Sequence, residues 1–373
     1  MNLRKFIIPI LSLLFICFSC KPDDDEVAFL QLRDRQEVYD ENILEIESYL
    51  DTHFFNYEDF DETDLYSDAN DDFVVAFDTI SVANGTQDKT PIIDYLNLAD
   101  GVFPRLDIKV VNFNDFDYNL YVLKVREGLG DIVNPLDGAT VIYNGTISNG
   151  TVFDNQVAVS NGQPFNLTRV ANAGGVITGF REGIIEFKTR TGFTENPDGS
   201  VKNNDHGIGA MFMPSGIAYF ASPPNGTPIS QYAPLFFKIQ VISRANTDFD
   251  GDGLPSHIEH PDGDFEGDGD DTDGDDAPNF IDNDDDADGV LTRDEVEKKE
   301  YEDNGTNQFM SRAEAKAYFT SDVETNGLNE IFIRIEAEND ETYTLHTLRV
   351  PFTMVDGVMV ANYLNDAVTD VIE

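Results

Sequence analysis

Residues 248–259 read DFDGDGLPSHIE, with carboxylates at the intervals that a calcium ion requires. Aspartates occupy loop positions one, three and five, a glycine follows at six, and a glutamate stands at twelve. Each aspartate can supply one oxygen ligand, the glycine permits a sharp turn, and the glutamate can bind through both oxygens. The spacing therefore predicts a calcium loop.

Two later stretches repeat this spacing. Residues 284–295 are complete, whereas residues 271–282 carry Asp276 in place of glycine at position six. We expect the loop without the glycine to bind less well or with altered geometry. The predicted ligands are Asp248, Asp250, Asp252, Glu259, Asp271, Asp273, Asp275, Asp282, Asp284, Asp286, Asp288 and Glu295.

Nearly abutting acidic loops without intervening helices resemble thrombospondin type 3 repeats. The strand-like run KIQVIS precedes the first loop, and Pro255 disfavours a helix within it. The resemblance implies that calcium has a structural role, in which the ions turn the acidic segment into a compact spacer. Calcium is then not a catalytic cofactor, and we expect no cofactor for any catalysis elsewhere in the chain. The alternative is an acidic linker without fixed structure, because 24 acidic residues face three basic ones between residues 248 and 303.

The overall charge limits the classes of partner. The chain has 373 residues and a formal net charge of −47, which argues against nucleic acids and anionic membrane surfaces as partners. Hydrophobic residues make up 40% of the chain, enough for real cores. Both cysteines, Cys17 and Cys20, lie at the N-terminus, so the rest of the chain has no disulfide framework or thiolate metal site.

The N-terminal stretch MNLRKFIIPILSLLFICFSC combines a basic start with an apolar run of about 13 residues, too short to span a bilayer. Its Ser-Cys ending resembles a bacterial lipoprotein signal. That resemblance implies a signal peptide over residues 1–20, lipid on Cys20 as the membrane anchor, and an acidic tether over 21–28. The expected location is the cell envelope, as an outer-membrane lipoprotein that is periplasmic or surface-exposed. The alternative is an ordinary cleaved signal with an incidental cysteine.

Periodicity divides the remainder into four regions. Apolar residues at helical spacing predict a helix over 29–56, within a helical and mixed N-terminal region that extends to residue 116. Residues 117–244 contain strand-like runs and one helical candidate at 178–188, which predicts an α+β fold with an antiparallel sheet packed on one short helix. The acidic repeats occupy 245–303.

The last region, residues 304–373, returns to globular composition and predicts a small α+β module of unknown role. Ser311 followed by Glu314 is typical of a capped helix. The alternating run NEIFIRIEAEN predicts a half-buried strand.

Residues 141–154 read VIYNGTISNGTVFD, a strand ending in Tyr-x-Gly, then an Asn-Gly turn, then Phe-Asp. Four more segments follow in order: PF at 164–165, VITGFREG at 176–183, PSGIAY at 214–219 and PLFFKI at 234–239. Together they resemble the FKBP-type peptidyl-prolyl isomerase signature. The resemblance covers about 117–244 and implies isomerisation of X-Pro bonds in polypeptide clients.

The same resemblance assigns the site. The implied pocket residues are Tyr143, Phe153, Asp154, Phe165, Val176, Ile177, Phe180, Tyr219 and Phe237. The N–H of Ile177 and the hydroxyl of Tyr219 are expected to donate to substrate carbonyls, and Asp154 is the one charged group at the proline ring.

Three features depart from the family pattern. Phe180 replaces the usual Trp at the pocket floor, Phe220 stands where many members have Gly, and residues 189–207 form a longer stretch than usual, which we expect to be exposed and mobile. These features leave two alternatives open. One is a non-catalytic module that grips prolyl segments as a chaperone, and the other is a calcium-dependent surface adhesion protein.

Overall fold

The computed structural model describes residues 32–96, 98–157, 164–168, 175–260, 270–301, 314–315, 330–337, 343–355 and 358–369. The chain divides into two units, Met1–Arg33 and Asp34–Glu373, and every element below belongs to the second. The predicted signal peptide, the tether, Cys20 and the helix cap at Ser311 lie outside the described residues. Within those residues, no helix has the length and apolarity needed to cross a bilayer.

The N-terminal region begins with helix α1 (Arg35–Thr52), which is shorter than the predicted 29–56. Asp34 caps it, because its Oδ1 accepts the N–H of Glu37 at 3.0 Å. The helix ends where strand β1 (His53–Phe55) pairs with β2 (Phe77–Thr79). A stripe at four-residue intervals is buried, comprising Val38, Asn42, Ile46 and Leu50.

A seven-stranded antiparallel sheet forms the body of the unit. Its first five strands are β3 (Arg105–Asn112), β4 (Asp117–Arg126), β5 (Gly138–Thr146), β6 (Val152–Gln156) and β7 (Phe165–Asn166). Helix α2 (Thr178–Ile184) and the two-stranded ladder of β8 (Gly192–Glu195) and β9 (Val201–Asn204) come next. Strands β10 (Gly207–Met213) and β11 (Leu235–Ala245) complete the sheet in the order β3-β4-β10-β11-β5-β6, with β7 beside β5.

Both faces of the sheet are buried, each against different elements. Leu120 and Val122 of β4 join the core on the α2 side. Tyr121 and Leu123, which alternate with them, join a second core with Ile46 of α1. The N-terminal region therefore covers the back of the sheet, and its strand β3 pairs with β4 over eight residues, so the sheet begins before residue 117.

One expectation in the middle of the chain needs correction, and one stretch contains an element that was not predicted. The predicted helix at 178–188 ends at Ile184, because Lys188 donates its N–H to the carbonyl of Glu127 at 2.8 Å and bridges to Ile132 in extended form. Residues 189–207 are exposed as expected from Phe193 to Val201, and they also contain the β8–β9 hairpin, which was not predicted from the sequence. A turn at 196–199 closes it, with the N–H of Gly199 donating to the carbonyl of Asn196 at 2.9 Å.

The C-terminal region contains a three-stranded sheet of β12 (Glu297–Tyr301), β14 (Tyr343–Arg349) and β13 (Glu330–Ala337), with β14 in the centre. The predicted strand in NEIFIRIEAEN is confirmed as β13. Strands β15 (Phe352–Val355) and β16 (Val358–Ala361) form a separate hairpin. A small core joins this region to the acidic repeats through Leu254, Val296, Leu348, Val350, Ala361 and Tyr363.

Candidate active site and candidate metal loops

Phe237 is the centre of an aromatic cluster on the α2 face of the sheet. Its ring centroid lies 4.9 Å from that of Phe180, 5.4 Å from that of Phe153 and 6.1 Å from that of Tyr143. Tyr143 extends the cluster to Phe165, with ring centroids 6.0 Å apart. The structure thus brings five of the six predicted aromatic rings of the pocket into one connected group.

Strand register and a glycine shape this cluster. Phe237 of β11 pairs with Gly145 of β5, and Tyr143 stands two residues earlier on the same strand. A Cβ at Gly145 would lie 2.7 Å from the ring of Phe153 and 2.9 Å from that of Phe237. Only a residue without a side chain lets both rings rest on β5, which explains the glycine of the Tyr-x-Gly motif.

Helix α2 provides the base of the pocket. Phe180 is buried near the N-terminal end of α2. It occupies the position where the family usually has Trp, and its ring is smaller. Ile177 is the N-cap residue, and its N–H has no acceptor among the described residues. Val176 and Ile177 pack against the same core as the rings.

One carboxylate marks the polar edge. The hydroxyl of Tyr143 donates to Oδ2 of the exposed Asp154 at 2.7 Å. Burial, this hydrogen bond and the charge of Asp154 raise the pKa of Tyr143, so its hydroxyl stays protonated as a donor. Burial and the charge of Asp154 also raise the pKa of Tyr219, which packs on the same core. Seven of the nine predicted site residues thus belong to or pack on one core, and Asp154 and Phe165 contact it through Tyr143.

The segment after Tyr219 shows what Phe220 does in place of glycine. Phe220 adopts a φ of +47°, in the left-handed region that favours glycine. Its N–H donates to the carbonyl of Ser215 at 2.9 Å, and its carbonyl accepts from the N–H of Tyr232 at 2.7 Å. Its ring packs edge-on against Tyr232, with centroids 4.9 Å apart. The backbone turn is therefore kept despite the side chain.

Asn42 of α1 was not among the predicted site residues, yet it fixes this segment. Its Oδ1 accepts the N–H of Ser215 at 2.7 Å, and its Nδ2 donates to the carbonyl of Tyr232 at 2.9 Å. The side chain is 4% exposed. The sequence feature that could have indicated this role is the presence of a polar residue in the otherwise apolar stripe of α1.

The three acidic loops share one backbone geometry. Position four has a positive φ in each, at Gly251 (82°), Gly274 (78°) and Ala287 (55°). Position six does as well, at Gly253 (101°), Asp276 (75°) and Gly289 (92°). Asp276 thus takes the conformation of the missing glycine, as Asp does more readily than most residues.

Position nine closes each loop. The N–H of position two donates to Oγ of Ser256 at 3.1 Å in the first loop, to Oδ1 of Asn279 at 3.0 Å in the second and to Oγ1 of Thr292 at 3.3 Å in the third. The side chain at position nine therefore accepts a hydrogen bond within its own loop, a role that the ligand spacing alone did not indicate.

The carboxylates converge as a cation requires. In each loop, oxygens from positions one, three and five lie within 4.8 Å of one another. Glu259 and Glu295, at position twelve, are each 1% exposed, and both oxygens of Glu259 and Oε1 of Glu295 lack a hydrogen-bond partner among the described residues. Burial and neighbouring aspartates raise the pKa of Glu259 to about 11 and that of Glu295 to about 8. Buried, like-charged oxygens without donors fit a hard cation such as Ca²⁺.

Comparisons with known proteins agree with the family resemblance of residues 117–244. The family model of FKBP-type peptidyl-prolyl cis-trans isomerases matches residues 130–194. FK506-binding protein 1 of Dictyostelium discoideum is 34% identical over 121 residues, covering 32% of this chain and 92% of that protein. This chain belongs to the FKBP-type peptidyl-prolyl cis-trans isomerase family.

Solved structures of other proteins are similar to part of the chain. A peptidyl-prolyl cis-trans isomerase from Pseudomonas syringae is 21% identical, covers 34% of this chain and 74% of its own, and has a TM-score of 0.25. FkpA from Escherichia coli is 24% identical, covers 36% of this chain and 51% of its own, and has a TM-score of 0.24.

Outside the FKBP-type domain, a family model described as BamM C-terminal matches residues 241–330, which include the acidic loops. This is a different family from the thrombospondin type 3 repeats that the loops resemble. The repeat assignment therefore stays a prediction.

Proposed function

We propose that this protein is an active peptidyl-prolyl cis-trans isomerase that acts on X-Pro bonds of exported or envelope polypeptides. The observation that supports this most directly is the convergence of Phe237, Phe180, Phe153 and Tyr143 beside the single carboxylate of Asp154. Aromatic faces suit the proline ring, and the N–H of Ile177 suits a neighbouring carbonyl.

Catalysis follows from the chemistry of the amide. Resonance holds the X-Pro bond near planarity, with a rotation barrier of roughly 18–20 kcal/mol. Twisting the bond breaks no covalent bond, but it removes resonance and leaves the amide less dipolar. An apolar pocket therefore binds the twisted amide better than the planar one, which lowers the barrier by differential binding.

A protease-coupled assay with a prolyl peptide tests this function. Wild-type protein should accelerate isomerisation, and Phe237→Ala and Asp154→Ala should each slow it while the circular dichroism spectrum is retained. The first change opens the apolar wall, and the second removes the acceptor that orients the hydroxyl of Tyr143. Unchanged turnover in both folded variants would show that the pocket lies elsewhere.

A second function, gripping prolyl segments without turnover, is favoured by one observation: Phe180 gives the pocket a smaller floor than Trp. The same assay separates the two functions, because a pure binding module binds a prolyl peptide in calorimetry but leaves its isomerisation rate at the uncatalysed value.

The proposal extends to the setting of the enzyme. The Ser-Cys ending of the N-terminal stretch supports an anchor through lipid on Cys20, and the orphaned carboxylates of the loops support structural calcium in a spacer. Replacement of Cys20 by serine should release the protein in soluble form. Wild-type protein without lipid at residue 20 would contradict the anchor.

A further inference from the structure

Phe220 and Tyr232 lie at the two ends of a loop that borders the pocket. This pocket loop, residues 221–231, follows the predicted pocket residue Tyr219 by one position and leads into β11. Within it, Ile229 is 7% exposed and belongs to the core that contains the pocket rings. The loop therefore connects two elements of the pocket and packs on the core that they share.

Both end residues have an unusual backbone conformation. Phe220 has a φ of +47° and Tyr232 a φ of +64°, in the left-handed region that favours glycine. Of the other described non-glycine residues with positive φ, four are Asn or Asp, which adopt this conformation most readily, and one is Ala. Two bulky aromatic residues in this conformation within one loop therefore call for a compensating interaction.

Contacts between the two ends supply part of that interaction. The N–H of Tyr232 donates to the carbonyl of Phe220 at 2.7 Å, and the two rings meet edge-on with centroids 4.9 Å apart. One residue inwards, Nε2 of Gln231 donates to the carbonyl of Ala221 at 3.0 Å. The rings of Phe220 and Tyr232 thus form an aromatic clasp at the base of the loop.

Helix α1 supports the aromatic clasp on both sides. Nδ2 of Asn42 donates to the carbonyl of Tyr232 at 2.9 Å. The guanidinium carbon of Arg35 lies 6.0 Å from the centroid of the Phe220 ring, a contact in which cation and ring attract each other. Nη1 of Arg35 also donates to the carbonyl of Asn114 at 3.0 Å, which fixes the cation beside the ring.

We propose that Phe220 and Tyr232 are positioning residues, which hold the pocket loop in its substrate-binding conformation before a prolyl segment binds. Arg35 and Asn42 hold the aromatic clasp in turn. Glycine at position 220 would adopt the same backbone conformation without strain, but it cannot make the ring contacts. This inference rests on the proposed function and deepens it, because it makes the N-terminal region part of the isomerase site.

A loop held in one conformation favours binding over turnover. A loop that samples several conformations binds its ligand with an affinity reduced by the fraction of molecules in the competent state. Once a prolyl segment is bound, the loop is ordered with or without the clasp, and the same pocket rings contact the proline. Loss of the clasp should therefore raise KM and leave kcat nearly unchanged.

Phe220→Gly in the full-length protein tests this role, with a succinyl-Ala-Leu-Pro-Phe nitroanilide as the probe. Hydrogen exchange of residues 221–231 should become roughly tenfold faster, and both KM and the Kd from calorimetry should rise about three- to tenfold. The kcat of the protease-coupled assay should stay within about twofold of wild type. Tyr232→Gly removes the other ring and should give the same results if Phe220→Gly does not fold.

Three further variants separate positioning from a general loss of structure. Phe220→Tyr keeps the ring and should match wild type in every measurement. Ala287→Gly is the matched control, because it also places glycine at a left-handed position, with φ +55°, but in the third acidic loop. Arg35→Gln should raise the Kd in the wild-type background and have less effect in Phe220→Gly, where the ring that the guanidinium contacts is absent.

The possible failures are distinguishable. Wild-type exchange of residues 221–231 in Phe220→Gly overturns the clasp, and faster exchange with an unchanged peptide Kd overturns the positioning role. Wild-type protein that binds the peptide without turnover contradicts the proposed isomerase function, while the Kd comparison still decides the role of the clasp. Wild-type protein that does not bind the peptide contradicts both.

Discussion

Gly145 lies beneath the pocket, at a point where one hydrogen takes the place of a side chain. The rings of Phe153 and Phe237 meet above it and occupy the space that a Cβ would need. The arrangement of the pocket therefore requires glycine here as well as the aromatic residues themselves. This makes Gly145 a sensitive probe of the site, since a change there moves both rings and removes neither.

Gly145→Ala should lower the isomerisation rate by about 10- to 100-fold, because displacement of reacting partners by about 1 Å can cost that much. Gly192→Ala is the control, since a Cβ there meets no atom within 4 Å. The protease-coupled assay should show normal turnover in the control. Normal turnover in Gly145→Ala would mean that the two rings are not part of the working pocket.

The sequence indicated which residues lie together where they belong to a recognisable motif. It did not indicate the role of residues whose partners come from distant parts of the chain. Tyr143, Phe153 and Phe237 come from short runs with fixed neighbours, and the structure places them in contact. Asn42 has no such signature. Its role depends on Ser215 and Tyr232, which lie far away in the chain, and no local pattern can indicate such partners.

His206 is a buried histidine that ties the sheet to the N-terminal region. Its neighbour Arg126 donates to Asp71 at 2.7 Å and to the carbonyl of His206 at 2.7 Å. Burial and the charge of Arg126 lower the pKa of His206 to about 4, whereas the carbonyl of Asn203 and the charge of Asp71 act in the opposite direction. His206 is therefore neutral in the folded protein at pH 7.

This pKa predicts a loss of stability in mild acid. The unfolded histidine takes up a proton near pH 6.5 and the folded one only near pH 4, so stability is complete above pH 6.5 and falls between these values. From pH 7.5 to pH 5 the contribution of His206 should be a loss of about 2 kcal/mol. Urea unfolding at both pH values should show a smaller loss in His206→Gln. Equal losses in the two proteins would contradict a buried neutral histidine.

Helix α1 is the element that links the back of the sheet to the mouth of the pocket. Besides the two hydrogen bonds of Asn42, its Glu45 accepts a hydrogen bond from Ser148, in the turn between β5 and β6. That turn leads into Phe153 and Asp154, and Asn42 holds the segment that carries Tyr219. One helix thus braces both polypeptide segments at the pocket edge.

Asn42→Ala should lower the free energy of unfolding by about 3 kcal/mol, because it leaves the N–H of Ser215 and the carbonyl of Tyr232 unpaired. It should also reduce turnover severalfold under conditions where the variant is folded, since the Tyr219 segment loosens. Leu44→Ala is the control on the same helix, as Leu44 is 69% exposed. An Asn42→Ala variant that is destabilised but fully active would limit α1 to a purely structural role.

At the scale of elements, strand-like runs predicted the central strands β4, β5, β10 and β11 of the sheet. The helix limits were predicted less well, and the hairpin within residues 189–207 was not predicted. Lys188 leaves the helix to bond with Glu127, and β3 joins the sheet although its sequence lies beyond the motif. Pairing with distant strands decided both outcomes.

In the whole molecule, the pocket and the acidic loops have separate cores. Among the described residues, the buried side chains of the two cores that flank the sheet extend to Val241, and those of the C-terminal core begin at Leu254. Polar contacts between described residues join the two parts: Asp137 lies 3.5 Å from Nδ1 of His257, and the hydroxyl of Thr247 donates to the carbonyl of Leu136.

Chelation of calcium should therefore expand residues 248–295 and expose them to protease while most isomerase activity remains. No proposed pocket residue belongs to the loops, and the sheet retains both cores. Limited proteolysis and the prolyl-peptide assay, run in parallel with and without chelator, provide the comparison. Abolished turnover on chelation would instead make calcium a regulator of the enzyme.

The strand order has a consequence for how the chain is made. Strands β4 and β5 follow each other in sequence, but β10 and β11 lie between them in the sheet. A chain that emerges from the ribosome or from a translocation channel N-terminus first cannot close this sheet until residue 245 has emerged. Until then β5 lacks its partner β11, and before residue 213 emerges β4 also lacks its partner β10, so the unfinished chain exposes an open half-sheet that is vulnerable to aggregation. A protein proposed to isomerise the X-Pro bonds of other polypeptides therefore completes its own sheet only late in its synthesis.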